Sequence, residues 1–171
     1  MTEIHEIISE RWSPREYDPA YVVTKEQTEQ VLEAARWAPS AMNKQEWWFI
    51  VGLKGDENFK KLADAANGYS DWALDASALI LNIYQPFPSE RHGVDFGPYD
   101  LGAAVQNMLL QATAMGLFMR PFASFDKAKV REQFSIPEPY VPFTMSALGL
   151  AKASKPERQR KPLSQLYWSA I

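Results

Sequence analysis

Apolar residues recur along this chain at two periods, and the switches between them mark out its elements. Ile4, Ile7, Ile8 and Trp12 fall at helical spacing with Glu3, Glu6 and Glu10 off that face, which predicts a short amphipathic helix ending near Arg11. Thr24 stands three residues before Gln27, the arrangement in which a hydroxyl and a carboxamide each satisfy a free backbone N–H. The helix opened there carries Val31, Leu32, Ala35 and Ala38 along one side, and Pro39 ends it. Trp47 to Val51 is wholly apolar, aromatic and β-branched, and predicts a buried strand. A helix over Glu57–Ala66, closed by Asn67-Gly68, and a second central strand over Ser77–Tyr84 follow.

The strongest helical signal opens at Tyr99 or Asp100. Leu101, Ala104, Val105, Met108, Leu109, Ala112 and Met115 keep the period for four turns, and Gly116 is placed to cap it. Gly102, Ala103, Leu110 and Ala114 leave little polar face, so this helix is expected to be covered on most sides. A strand at Leu117–Arg120, a helix begun by Asp126 with Val130 and Phe134, and a strand at Val141–Leu150 complete the set. Residues 85–98, with three prolines and two glycines, predict a loop of the length that serves as a lid or binding segment. Helices and strands alternate irregularly, which points to an α+β fold with a mixed sheet. No Gly-x-Gly-x-x-Gly and no Gly-Lys-Ser/Thr loop occurs, which excludes the usual dinucleotide and P-loop phosphate cradles.

Composition narrows the chemistry. Within 171 residues there is room for one domain with a real core. No cysteine is present and only His5 and His92, so thiol chemistry, iron–sulfur clusters and cysteine or histidine metal sites are not expected. A net charge of −3 offers no global field for nucleic acid. No apolar run is long enough to span a bilayer, and Glu3 and Glu6 stand where a signal peptide would be basic, so a cytoplasmic location off the membrane is expected. Six Trp, seven Tyr and nine Phe are a large stock of flat side chains, suited to a core, an interface or the walls around a flat ligand.

Two stretches carry candidate chemistry. Arg11-Trp12-Ser13-Pro14-Arg15 sets two guanidinium forks around one hydroxyl, a donor set matched to phosphate or carboxylate, and Pro14 turns the chain out of the helix. From Lys152 the chain turns basic, with Lys155, Arg158, Arg160 and Lys161, yet it continues into Leu163, Leu166, Tyr167 and Trp168. A solvated tail has no use for those apolar residues, whereas an arm lying on another surface does.

In order and spacing, the motifs together resemble the FMN-dependent nitroreductase family along essentially the whole chain. They are Arg-x-Ser-x-Arg-x-Tyr at 11–17, Ala-Pro-Ser-x-x-Asn-x-Gln-x-Trp at 38–47, Asp-Leu-Gly-Ala-Ala-Val-Gln-Asn-Met at 100–108 and Arg-x-Arg-x-Pro at 158–162. The resemblance implies one nitroreductase-like domain over 1–171, with a mostly antiparallel mixed sheet flanked by helices. It also implies a homodimer in which the arm, 152–171, reaches across to its partner and two FMN molecules lie at the interface.

By the same resemblance, Arg11, Trp12 and Ser13 fall at the flavin's phosphate and ribityl chain, and Arg15 near its pyrimidine edge. Pro39, Ser40, Asn43 and Gln45 wall the ring, usually from the other subunit, and Arg158 and Arg160 complete the phosphate clamp. The chemistry is expected at flavin N5, with no catalytic side chain and no metal. NADPH or NADH would reduce it, and a small nitroaromatic, quinone or other conjugated acceptor would be reduced in turn. Flavin storage or sensing without turnover, or a specialised flavin reaction, are the alternatives. Five residues depart from what the resemblance implies: Tyr69 and Trp72 stand where an Asn and a basic residue are common, Ala123-Ser124 where Glu-Gly is, and Glu46 where Pro precedes the strand Trp.

Overall fold

The computed structural model describes residues 3–89 and 93–168; residues 90–92 of the expected loop, His92 among them, and 169–171 of the arm lie outside. In chain order the elements are α1 (Glu6–Glu10), α2 (Lys25–Arg36), β1 (Trp47–Leu53), α3 (Glu57–Ala66), β2 (Ala78–Tyr84), β3 (Pro88–Ser89), β4 (Val94–Asp95), α4 (Gly97–Ala114), β5 (Phe118–Phe122), α5 (Lys127–Gln133) and β6 (Val141–Gly149). Single 3-10 turns fall at Ala41–Asn43, Asp71–Ala73 and Leu163–Leu166.

Four strands form one sheet in the order β1-β2-β6-β5, and β3 pairs with β4 as a separate two-residue hairpin inside the expected loop. Each pairing is antiparallel, so the mixed sheet expected from the sequence has no parallel pair among the described residues. β1 and β2 are antiparallel despite the intervening α3. Residues 67–77 return the chain to the end of β1, where Leu53 opposes Ala78.

The sheet divides two cores. On one face Ala78 and Ile80 of β2 and Leu148 of β6 meet α2 and α4 through Val31, Ala35, Leu101 and Met108. On the other, Leu79, Leu81 and Ile83 meet α3 and α5 through Phe59, Leu62 and Val130. β2 is therefore apolar at consecutive positions because both its faces are covered, each large side chain contributing about 1.5–3 kcal/mol. Asn82 is the exception, fully buried at a register shift, where its amide donates to Thr144 Oγ1 (3.0 Å) and Ser146 Oγ (2.9 Å). The two hydroxyls that interrupt the β6 apolar run thus answer one buried amide.

Local chemistry sets the boundaries. Thr24 and Gln27 form the reciprocal cap, with Gln27 N donating to Thr24 Oγ1 (3.1 Å) and Thr24 N to Gln27 Oε1 (3.0 Å). Gly116 closes α4 at φ +72°, and the Leu117 N–H reaches back to Ala112 O (2.9 Å). α3 lies so close on β1 that a Cβ at Gly52 would stand 2.3 Å from Phe59 N.

Three elements differ from expectation. α4 opens at Gly97 with Pro98 in its first turn, where a missing N–H costs nothing, and Asp100 is inside the helix instead of capping it. β1 is an edge strand and only partly covered, with Trp48 exposed, where a buried central strand was expected. α1 stops at Glu10, so Trp12 leaves the helix and packs inward, while Ile4 and Ile8 stay 60% and 49% exposed.

Candidate functional site

The end of α1 meets the basic C-terminal segment. Arg11 is the residue on which α1 terminates, and its Nη1 lies 3.3 Å from Ser13 Oγ. Arg158, 147 residues along the chain, donates from both terminal nitrogens to the carbonyls of Arg11 and Ser9, and Lys155 pairs with Glu10 alongside. These contacts draw the 155–160 segment over a cavity of about 520 Å³ walled by Ile8, Ser9, Arg11, Gln106, Arg158 and Arg160.

The cavity is predominantly cationic, with Arg11, Lys155, Arg158 and Arg160 against the one carboxylate of Glu157. None of Arg11, Arg158 and Arg160 pairs with a carboxylate among the described residues. Partial burial, then the neighbouring Arg158 and Arg160, push the Arg11 guanidinium below its ordinary value. Three crowded forks, none of them in an ion pair, are stabilised by an anion with several acceptor oxygens, such as a phosphate. A larger concavity of about 620 Å³ lies between α2 and α4, but Glu29 and Glu33 wall it and no basic side chain does, so it offers an anion nothing.

The other predicted residues divide. Trp12 is 7% exposed and packs on Phe118 (5.5 Å between centroids), so its side chain serves the core and not the cavity wall. Ser13 and Arg15 are exposed on either side of buried Pro14. Pro39, Ser40, Asn43 and Gln45 lie between α2 and β1 and do not line the Arg11 cavity of their own chain.

Their segment is nonetheless built tightly. Met42, Asn43 and Gln45 all have φ between +53° and +55°, a left-handed conformation that costs about 1 kcal/mol or more per residue away from glycine. What holds them is a small network. Gln45 N donates to Ser40 Oγ (3.0 Å), Asn43 N to Ser40 O (3.0 Å), and Ala41 N to Asp100 Oδ2 (2.7 Å). The carboxylate expected to start α4 thus anchors this loop.

Glu46 completes the arrangement from below. It is 5% exposed, and neither of its carboxyl oxygens meets a donor among the described residues. Asp100 faces it but as a carboxylate can only accept, so their contact is a hydrogen bond only when Glu46 carries the proton. Burial first, then Asp100 and the charge of Asp95, push the Glu46 carboxyl above its ordinary value. The sequence marks Glu46 as unusual but gives no sign of this partner.

Arg120 on β5 is a charged neighbour of the Arg11–Arg15 stretch that the sequence did not single out. Its Cζ lies 4.4 Å over the Trp72 ring and its Nη1 is 3.5 Å from Pro14 O, which sets it beside Arg15. The one available signal was a charge inside a short apolar strand. Ser70, between Tyr69 and Trp72, is a neighbouring hydroxyl that could stand in for a missing polar group, but it is buried and donates to Ser124 O (2.9 Å), so that donor is committed. Tyr69 is 61% exposed, and Ala123 and Ser124 are exposed.

Comparison with known proteins places this geometry. Residues 8–150 match the model of the Nitroreductase family. A protein of Archaeoglobus fulgidus, provisionally named NADH dehydrogenase/NAD(P)H nitroreductase, is 33% identical over 159 residues, spanning 91% of this chain and 89% of its own. Among solved structures, an oxidoreductase containing FMN superposes with a TM-score of 0.85 at 26% identity, over 99% of this chain and 93% of that one. A nitroreductase family protein of Clostridium difficile gives 0.84 at 28% identity, over 98% of both. A match over most of the length, together with an arginine-lined cavity on the same α+β frame, settles the question of kinship: this chain belongs to the nitroreductase family.

Proposed function

We propose that this protein is an FMN-dependent oxidoreductase that draws reducing equivalents from NADPH or NADH and passes them to a small conjugated acceptor, a nitroaromatic or a quinone. The observation that carries the reading is the convergence of Arg11, Arg158 and Arg160 on one cavity, where they and Lys155 outnumber the single carboxylate, Glu157, and none of the three arginines is paired with an acid among the described residues. That donor set fits the phosphate of FMN, and related proteins are described as containing FMN or named NAD(P)H nitroreductases.

Bound flavin supplies hydride acceptance and delivery at N5. The chain's own work is binding and shaping. Arg11 and Arg160 offer forks to the phosphate, Ser13 adds an orientable hydroxyl, and Arg158 straps the two chain ends so that the forks stay together. Arg15 lies toward the ring's pyrimidine edge. Pro39, Ser40, Asn43 and Gln45 form a wall for the ring of the neighbouring subunit's flavin in a homodimer.

Two sets of exposed apolar groups support that assembly. Among the described residues, Leu163, Leu166, Tyr167 and Trp168 are half to almost wholly exposed, and so are Ile4, Ile8, Trp37 and Met42. The arm reaching over the partner would bury both sets. A flavin-holding protein without turnover is the second reading, favoured by the committed Ser70 hydroxyl and the Ala123-Ser124 pair.

Anaerobic mixing of the purified, FMN-loaded protein with NADPH or NADH separates the two. Loss of the flavin's visible absorption, and its return on adding a quinone, supports the oxidoreductase. Flavin that stays bound and oxidised with both nucleotides supports the holding protein.

A further inference from the structure

Arg120 has no acidic partner among the described residues, although it is half-buried in the middle of a strand. What surrounds it is aromatic or itself cationic. Trp72 lies beneath the guanidinium, its ring centroid 4.4 Å from Arg120 Cζ, and that ring is fixed in turn between Tyr17, stacked at 6.5 Å, and Phe122, edge-on at 5.2 Å. Tyr17 supplies no negative charge, because its hydroxyl is buried and donates to Ala147 O (2.9 Å). Arg15 is the other charged neighbour and repels it. Burial first, then Arg15, press the Arg120 guanidinium below its ordinary value. Contact with one indole offsets only part of this.

Position adds direction to this imbalance. Arg120 reaches Pro14 O, so it sits on the same five-residue stretch that begins at Arg11 in the phosphate cavity and ends at Arg15. Four residues of extended chain cover up to about 13 Å. That is room for a ribityl chain between a phosphate at one end and a ring edge at the other. Trp72 itself contributes a platform and no charge.

We propose that Arg120, held over Trp72, supplies with Arg15 the fixed positive charge at the N1–O2 edge of the flavin ring. The proposal rests on the FMN reading above. Its chemical consequence follows from charge balance. A hydride from NAD(P)H brings two electrons and one proton to the ring and leaves the nucleotide oxidised, so the ring gains one negative charge, shared by N1 and O2. A guanidinium at that edge stabilises the reduced ring over the oxidised one and raises the midpoint potential.

The test compares FMN affinity and the midpoint potential of bound flavin in the wild-type protein and in Arg120→Met, Arg120→Gln and Arg120→Lys. The expected result is that all four bind FMN, since the phosphate clamp is untouched. Met and Gln then bind reduced flavin about tenfold more weakly relative to oxidised, a potential lower by about 30 mV for a two-electron couple, and Lys restores most of it. Variants that bind FMN at the wild-type potential would overturn the role of Arg120 and leave the cofactor reading standing. Equal loss of FMN by Met, Gln and Lys would also overturn it, since it would show that shape and not charge matters there. A wild-type protein that takes up no FMN would overturn the cofactor reading and this proposal with it.

Discussion

Arg158 donates to the carbonyl of Arg11, joining the end of the first helix to a segment 147 residues away. A guanidinium that spends two donors on backbone carbonyls is a strap as much as a ligand. It brings like charges together at an energetic cost, and the crowding of Arg11 by Arg158 and Arg160 is the sign of that cost. An anion bound between them offsets it, which couples ligand binding to the order of the chain's C-terminal segment.

Arg11→Ala removes one fork from the phosphate. FMN affinity should fall by one or two charge-assisted hydrogen bonds, about 2–4 kcal/mol, measured by quenching of free-flavin fluorescence on titration. Unchanged affinity would mean that the phosphate lies elsewhere.

Removing residues 153–171 deletes the strap and the exposed Leu163, Leu166, Tyr167 and Trp168 together. The truncated chain should lose flavin and shift toward monomer in size-exclusion chromatography with light scattering. A yellow, dimeric truncation product would rule out the arm.

Glu46 gives the stability a pH dependence of known sign. Its folded value is raised above the ordinary 4.5, so between those two values the native chain holds a proton that the unfolded chain has released. Its contribution is fully present below the ordinary value and is lost as pH rises through the raised one. Glu46→Gln keeps the neutral form at every pH. The variant's Tm should therefore match wild type in acid, exceed it by a growing margin as pH rises from the ordinary to the raised value, and keep a constant margin above that. Melting curves that shift in parallel would contradict a buried, proton-sharing Glu46.

Much of the frame was legible because its causes are local. The Thr24–Gln27 cap, the Gly116 stop and the apolar stripe of α4 each depend on residues within a few positions of one another. The start of α4 was misplaced for the opposite reason. Asp100 resembles a cap in sequence, but its carboxylate answers Ala41 N, 59 residues away. Arg120 was missed likewise, since its meaning comes from Trp72 and Arg15, which only the tertiary fold sets beside it. Trp12 erred the other way. Its neighbours Arg11 and Ser13 face the exterior, and the alternation that exposes them turns the indole into the core.

The close seating of α3 on β1 has a direct stability test. Gly52→Ala places a methyl 2.3 Å from Phe59 N and 2.5 Å from its Cα, backbone atoms that a side-chain rotation cannot move. A loss of about 1–3 kcal/mol or more in denaturant unfolding is expected. Wild-type stability would mean that the helix stands off the sheet.

The central claim is that guanidinium groups from both ends of the chain grip a flavin phosphate, and its most direct test is the affinity of the apoprotein for FMN against that for riboflavin, which has the same ring and ribityl chain but no phosphate. Losing two to three charge-assisted contacts should leave riboflavin at least about a hundredfold weaker, with the gap narrowing as salt is added. Equal affinity for the two, at any ionic strength, would contradict the clamp.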